Sequence, residues 1–384
     1  MSEAQAEALP KSKGPEDRAP RWWRFWLGAS LLPLGWITLR IAALRPDWVE
    51  KHYCASIFPR ARQILGDFTS QLPFPLAQTA LLFIGAILLL RLGRSVFTWL
   101  RGRRSLGNLC LHGGTWLVSA AGFLYAFFLI SWGFNHARQP YSWHANLPSE
   151  EVEQGDLEAV LTWLVAECNQ LREPLTAGAW GMADADVDGG LDPRILLAFD
   201  ELAKSVPALA GGTPLLRHAY LSAGLSRLGI SGIYSPFTAE AHLNTEIPPF
   251  MQPFTAAHEV AHLKGFARED EANFIAWQVC MRVPDPALRY SGALIAMAWT
   301  RHALASVDPA GAARILELLS PKVLSDLDQN RAFWLSKRTF VTELSAISND
   351  AYLKSQGQAE GRRSYGRMVD LIVAERKKSG GLKD

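Results

Sequence analysis

The 384-residue sequence has few cysteines and almost no excess of charge of either sign. Its four cysteines, Cys54, Cys110, Cys168 and Cys280, form no C-x-x-C pair and no disulfide framework, although a single bond between Cys168 and Cys280 stays open. The formal net charge is +2 at pH 7, and no basic patch is interleaved with aromatic residues. These absences argue against a disulfide-rich scaffold, and we expect no nucleic-acid partner.

Long apolar runs, in contrast, are present near the N-terminus. They cover about Trp26–Leu44, Leu76–Leu90 and Leu109–Phe134, and a membrane crossing takes about 20 apolar residues. The second run reaches that length when it is extended to Phe97. Many of the 14 tryptophans lie near these runs, as aromatic residues do at the boundary between water and lipid. We therefore predict a membrane region with three transmembrane helices at 25–134.

Positive charges predict the orientation of these helices. Residues 91–104 contain several arginines and no acidic residue, which is typical of a cytoplasmic loop. The N-terminal tail at 1–24 is also basic, and we place it in the cytoplasm. Three crossings then put residues 135–384 outside the cytoplasm, with the lipid bilayer as a partner. This orientation depends on an odd number of crossings, so one transmembrane helix more or fewer would place residues 135–384 on the cytoplasmic side.

The most informative motif is His258-Glu259-Val260-Ala261-His262, which has the H-E-x-x-H spacing. On a helix, positions i and i+4 share one face, so the two imidazoles can bind one Zn²⁺ at about 2.0–2.1 Å. Glu259 can then reach a water on the open coordination position and take its proton. Pro253 fits the start of such a helix and Gly265 fits its end.

A zinc site of this kind needs a third protein ligand. Glu269 and Glu271 follow in the next predicted helix, and their spacing of two residues turns them to different faces. We favour Glu269, because Asn273 then lies one turn later on the same face, where it can hydrogen-bond a ligating histidine. Glu271 stays the alternative ligand.

The segments 255–262 and 265–273 together resemble an uncharacterised bacterial family of membrane-anchored, zinc-metallopeptidase-like proteins. Flanking segments at 235–241 and 290–292 agree with this family, as do words within 349–366. The pair formed by Glu269 and Asn273 is similar to the E-x-x-x-D/N element of the wider gluzincin group, in which the glutamate is the third zinc ligand. Only six residues separate His262 from Glu269, fewer than in most gluzincins.

The resemblance implies a fold and a place in the cell. We expect a mainly α protein, in which the N-terminal transmembrane helices precede a mostly helical, zincin-like α+β metallopeptidase domain. A small sheet is predicted within 228–247, just before the metal helix. The resemblance also implies a bacterial inner or cell membrane. Further helices are predicted at about 149–165, 193–205, 286–306, 309–319, 323–352 and 365–377.

The function that these residues predict is zinc-dependent hydrolysis of a peptide bond in a peptide or protein substrate, with Glu259 as the general base. A donor to the oxyanion is expected, and Tyr290, Tyr234 and His218 are the candidates. Two alternatives stay open. One is a non-catalytic, metal-stabilised extracytoplasmic sensor or assembly protein, and the other is a zinc amidase that acts on cell-wall fragments.

Overall fold

The computed structural model of the protein describes residues 22–102, 105–148, 150–176, 193–212, 215–355 and 367–382. It is mainly helical and contains one small sheet. The N-terminal helices are α1 (Trp22–Ala43), α2 (Pro46–Val49), α3 (Phe58–Ser70), α4 (Leu76–Leu100) and α5 (Leu106–Ser131), with a π-helix at Glu50–Ile57 between α2 and α3.

The remaining helices follow α5 along the chain. They are α6 (Tyr141–His144), α7 (Gln154–Arg172), α8 (Pro193–Ser205), α9 (Ser222–Leu228), α10 (Gln252–Leu263), α11 (Glu269–Arg282), α12 (Pro286–Val307), α13 (Pro309–Leu316), α14 (Pro321–Lys337), α15 (Phe340–Ser355) and α16 (Met368–Lys378). The strands are β1 (Leu216–His218), β2 (Gly232–Ser235) and β3 (Glu240–Leu243).

Among the residues that the structure describes, three helices are long and apolar enough to cross a membrane. These stretches are Phe25–Ala43, Leu76–Leu100 and Leu106–Ser131, so the predicted number of such helices is confirmed. The second continues beyond the predicted apolar run, and Arg91 and Arg94 therefore lie within α4 rather than in a loop. The direction of crossing and the kind of membrane stay predictions.

The chain divides into two compact units, of which the first takes residues 1–37 and 87–127. Within it, α1 and α5 pack closely at two glycines. A Cβ built on Gly122 would lie 1.7 Å from the carbonyl oxygen of Gly28. Small residues allow this kind of backbone approach between membrane helices.

The second unit takes residues 38–86 and 128–384, so it includes one end of each apolar helix. Glu240 of β3 is fully buried, and its carboxylate accepts hydrogen bonds from the backbone N–H groups of Leu76 (3.0 Å) and Ala77 (2.9 Å). A carboxylate is favourable at these positions because they form the positive end of the α4 dipole. Gln78 adds a 3.0 Å contact with Nδ1 of His242. The sheet is thereby attached to the start of α4.

The sheet has the order β1-β3-β2, with β1 parallel and β2 antiparallel to β3. Two of its strands lie within 228–247, as predicted. The third, β1, was missed, because three residues are too few to show the alternation of a strand. β3 is buried along its whole length, whereas β2 lies at the edge of the sheet.

Several predicted boundaries were wrong for local reasons. The helix expected from residue 149 begins at Gln154, where Glu153 and Asp156 form a reciprocal capping box. The single helix expected at 323–352 is divided into α14 and α15, because Thr342 Oγ1 accepts the N–H of Thr339 at 2.9 Å and starts a new helix. The connection at 45–75 is mostly helical.

The cysteines are all free. Cys168 and Cys280 are buried in the core of the second unit, and the bond left open between them is not formed. Cys110 is exposed on α5, along a face that a bilayer would cover.

Removal of the Glu240 carboxylate tests the attachment of the sheet to α4. We expect Glu240→Ala to lower the free energy of unfolding of the second unit by about 2–3 kcal/mol, because two buried N–H groups lose a charged acceptor. Thermal unfolding of the full chain in detergent measures the change. Glu173→Ala, which removes an exposed partner of Lys322, is the control and should have almost no effect. Equal effects of the two variants would contradict the assignment.

Candidate metal centre

Helix α10 carries the H-E-x-x-H motif in its last two turns. The 3₁₀ turn Pro249–Met251 leads into it, and Pro253 lies in the first turn, where its missing N–H costs nothing. The rings of His258 and His262 lie on one face, with centroids 4.6 Å apart and planes at 87°. The predicted helical spacing is therefore present, and both rings face the same space.

Gly265 turns the chain back towards these rings. Its φ is +92°, a left-handed conformation that glycine adopts without strain. A Cβ at this position would lie 2.6 Å from the ring of Phe58. Helix α11 then begins at Glu269, so the short connection brings an acidic side chain back over the end of α10.

Glu269 completes a cluster of three donor atoms. Its Oε2 lies 3.3 Å from Nε2 of His258 and 3.5 Å from Nε2 of His262. Charge-assisted hydrogen bonds between nitrogen and oxygen are about 2.7–2.9 Å long, which is shorter than either distance. With metal–ligand bonds of about 2.0–2.1 Å, the ligand atoms of a tetrahedral zinc site lie about 3.3–3.4 Å apart. The distances from Glu269 to the two histidines therefore fit the binding of one shared metal ion better than direct hydrogen bonds between these side chains.

Glu271 lies elsewhere. Its Oε1 accepts the backbone N–H of Tyr141 at 2.9 Å and Nη1 of Arg268 at 2.9 Å. Within the described parts of the chain, the group of possible metal ligands contains His258, His262 and Glu269. The structure therefore gives Glu271 a structural role in the packing of α11, and it favours Glu269 in the choice between the two.

A backbone carbonyl orients His262, and this contact was not predicted. The carbonyl of Phe266 lies 2.8 Å from Nδ1 of His262, so Nδ1 donates and Nε2 stays free to face Glu269. Asn273 was expected to make such a bond. It lines the cavity instead, and its Nδ2 has no hydrogen-bond partner among the described residues. Every residue has a backbone carbonyl, so the sequence does not indicate which one contacts His262, and the contact with Phe266 was not predicted.

Charges in the cluster suit metal binding. Burial raises the pKa of Glu269, but His262 and His258 outweigh it and hold the pKa well below its usual range. Burial lowers the pKa of His262, whereas the Glu269 carboxylate raises it more, to about 9. Burial also raises the pKa of Glu259, against the opposing effect of the histidines. Glu269 is therefore an anion at neutral pH, while Glu259 binds a proton more readily than an ordinary glutamate.

Strand β2 passes very close to Glu259. The backbone of Tyr234 acts on its carboxylate and opposes the effect of burial on the pKa of Glu259. A Cβ at Gly232 would lie 2.6 Å from Oε1 of Glu259 and 2.8 Å from Cγ2 of Thr255. Gly232 is thus the residue that lets the strand approach Glu259, and no local sequence pattern distinguishes it from the neighbouring glycines.

The end of α10 is held by three donors from outside the helix. Trp132 Nε1 donates to the carbonyl of His262 at 3.0 Å, Arg62 Nη1 to Leu263 at 3.3 Å and Arg138 Nη1 to Gly265 at 2.9 Å. Cations are favourable here, because the last carbonyls of a helix form its negative end. These contacts fix the turn that positions Glu269.

The three donor atoms open into a cavity of about 980 Å³, at the upper end of the range for ligand sites. Its walls come from β2, α10, α11, α12 and α15, together with Phe128 at the end of α5 and Trp132 just after it. The polar side chains that line it beyond the cluster include His136, His302, Ser345, Asn349 and Tyr352.

Of the three expected oxyanion donors, only Tyr234 lines this cavity. Burial raises the pKa of Tyr234, so its hydroxyl keeps its proton. Tyr290 is fully buried in the core and donates to Oδ2 of Asp326 at 2.7 Å. His218 is exposed at the end of β1. Sequence reasoning missed Tyr352 and His136, whose polar atoms lie 3.4 Å apart in the wall of the cavity.

A comparison with protein-family models matches residues 53–373 to DUF3810, a protein family of unknown function. The chain belongs to this family. The match covers the whole of the cluster and the cavity around it. No curated protein and no solved structure matches the chain, so the DUF3810 assignment brings no activity with it.

Substitution of Gly265 tests the turn. We expect Gly265→Ala to cost about 3 kcal/mol or more, because it adds a clash with Phe58 to the strain of a positive φ. Gly380→Ala is the matched control: its φ is +72°, but nothing lies within 4 Å of its Cβ, so only the strain of about 1–2 kcal/mol applies. Thermal unfolding of both variants gives the comparison, and a smaller loss at Gly265 than at Gly380 would overturn the argument.

Proposed function

We propose that this DUF3810 member is a membrane-anchored zinc metallopeptidase whose zincin-like domain lies within residues 135–384, outside the cytoplasm. His258, His262 and Glu269 are the zinc ligands. The observation that carries the proposal is the spacing of their donor atoms, 3.3 and 3.5 Å from Glu269 to the two histidines. Glu259 lies on α10, the helix that carries both histidines.

The roles of the side chains follow from their positions. When bound, zinc would acidify a water molecule and polarise a carbonyl group. Glu259 would accept the proton of a water molecule at the cluster and would donate it to the leaving amine. Burial raises its pKa, which makes it a stronger base, and strand β2 packs against its side chain at Gly232. Tyr234, Tyr352 and His136 face the cavity as donors to the developing oxyanion.

The edge position of β2 supports a peptide as the substrate. The strand borders the cavity, and within the described sheet it pairs only with β3. An extended peptide can add to such an edge by backbone hydrogen bonds. The alternative is that β2 only closes the core, in which case substrate length would not affect turnover.

The number of ligands bears on the non-catalytic alternative. A structural zinc site is closed by four protein ligands, whereas a catalytic site has three and one open position. The described cluster has three members and opens into the cavity, which favours catalysis over a sensor or assembly protein stabilised by metal. A zinc amidase acting on cell-wall fragments would use the same cluster, and analysis of the products separates it from a peptidase.

Four variants test the ligand set and the base. We expect Glu259→Gln to keep one zinc per chain and to lose turnover by about 10²–10⁴-fold. His262→Ala and Glu269→Gln should lose zinc, because each leaves two ligands. Glu271→Gln is the matched control and should keep zinc. Metal analysis and digestion of a peptide library by the full chain in detergent provide the measurements.

The outcomes separate the parts of the proposal. Full turnover in Glu259→Gln protein would remove Glu259 as the base. If Glu269→Gln protein retains zinc and Glu271→Gln protein loses it, the third ligand is Glu271 and not Glu269. A wild-type chain that never takes up stoichiometric zinc would end the proposal.

Zinc binding should release a proton at neutral pH. In the metal-free protein the pKa of His262 is raised to about 9, so the imidazole is protonated at pH 7, whereas a ligand must be neutral. We expect about one proton per zinc at pH 7 and apparent affinity that increases with pH up to about 9. Calorimetric titrations in buffers of different ionisation enthalpy count the protons, and no release at pH 7 would contradict the pairing of His262 with Glu269.

A further inference from the structure

Helix α15 has two different faces. On one face, Thr342, Ser345, Ala346, Asn349 and Tyr352 line the cavity. The opposite face carries large apolar side chains at helical spacing that are exposed: Phe340 (77%), Leu344 (55%) and Ile347 (67%). A soluble domain rarely leaves such a stripe in water, so the outer face of α15 lacks the apolar surroundings that its composition requires.

The position of α15 indicates what covers this face. Arg40, near the end of α1, donates through Nη2 to the carbonyl of Ser355 at 3.4 Å. Phe128, in the last turn of α5, lines the same cavity as α15. Both α1 and α5 are long and apolar enough to cross a membrane. Helix α15 therefore lies beside the ends of two apolar helices, where these would leave a bilayer.

Helix α3 and the residue before it repeat the pattern independently. Ile57, Ile64 and Phe68 are exposed at 49%, 70% and 58%, and at intervals of seven and four residues they lie on one helical face. This segment belongs to the connection between the end of α1 at Ala43 and the start of α4 at Leu76, so both of its ends are tied to apolar helices. Its opposite face contains the buried Arg62, which holds the end of the metal helix.

We propose that α15 lies in the interface of the bilayer, with Phe340, Leu344 and Ile347 inserted at the boundary between headgroups and acyl chains. Amphipathic helices bind membranes in this way. At 16 residues and with Thr342, Ser345 and Asn349 on its other face, α15 is too short and too polar to cross. Glu343, Asp350 and Lys354 flank the stripe without a net excess of positive charge, so insertion needs no anionic lipid.

This arrangement makes α15 the wall between the cavity and the lipid. A part of this inference rests on the proposed function: if the cavity cleaves peptides, its substrates are protein segments held close to the membrane surface. The placement of α15 itself does not depend on zinc or on turnover, and it can be tested separately.

Depth-dependent quenching tests the placement in the full chain. Cys110→Ala removes the exposed native thiol, and single cysteines then replace Ile347 or Leu344 for labelling with an environment-sensitive fluorophore. Leu318→Cys is the matched control, because Leu318 is similarly exposed (61%) on a connection that adjoins none of the apolar helices. The protein is reconstituted in phosphatidylcholine nanodiscs, with or without bromine on the upper part of the acyl chains.

We expect brominated lipid to reduce the emission at 347 and 344 roughly twofold and to leave that at 318 unchanged. Emission that is shifted to the blue but unquenched at both positions would show that protein covers the stripe, and it would overturn the proposal. Emission typical of water at both positions would overturn it as well, as would equal quenching at 318.

Discussion

A left-handed turn at Gly265 is the constraint on which the donor cluster depends. The turn reverses the chain within the few residues between His262 and Glu269, and the Oε2 of Glu269 thereby reaches both imidazoles. No side chain fits at this position, because the ring of Phe58 occupies the space. The same backbone reversal places the carbonyl of Phe266 against Nδ1 of His262. The short segment that follows His262 therefore supplies both the third donor, Glu269, and the Phe266 carbonyl that orients the second donor, His262.

The turn is held in place by residues that adjoin the apolar helices. Trp132 follows α5 directly, and Arg62 and Arg138 come from segments next to α4 and α5. Glu240 fixes the sheet to the first turn of α4. The donor cluster, the sheet and one end of each apolar helix thus belong to one packed unit. The DUF3810 match from residue 53 to residue 373 likewise includes the metal helix, the sheet and two of the three apolar helices.

Much of this arrangement could be predicted from the sequence. The spacing of His258 and His262 and the glycine after them specify a helix, a face and a turn. The apolar runs near the N-terminus specify three long helices. The contacts that refine the site could not be predicted. A backbone carbonyl orients His262, and a glycine on β2 allows the strand to approach Glu259. Tyr352 lines the cavity although it lies about 80 residues after Glu269 in the chain. No local pattern of the kind used for helices and strands marks any of these contacts.

X-ray absorption at the zinc edge of the purified full chain tests the central claim most directly. The account predicts one zinc per chain with two imidazole nitrogens, a carboxylate oxygen and a water oxygen at about 2.0–2.1 Å, and no sulfur. A closed shell of four protein ligands, a sulfur ligand from one of the cysteines, or a chain without stoichiometric zinc would contradict it.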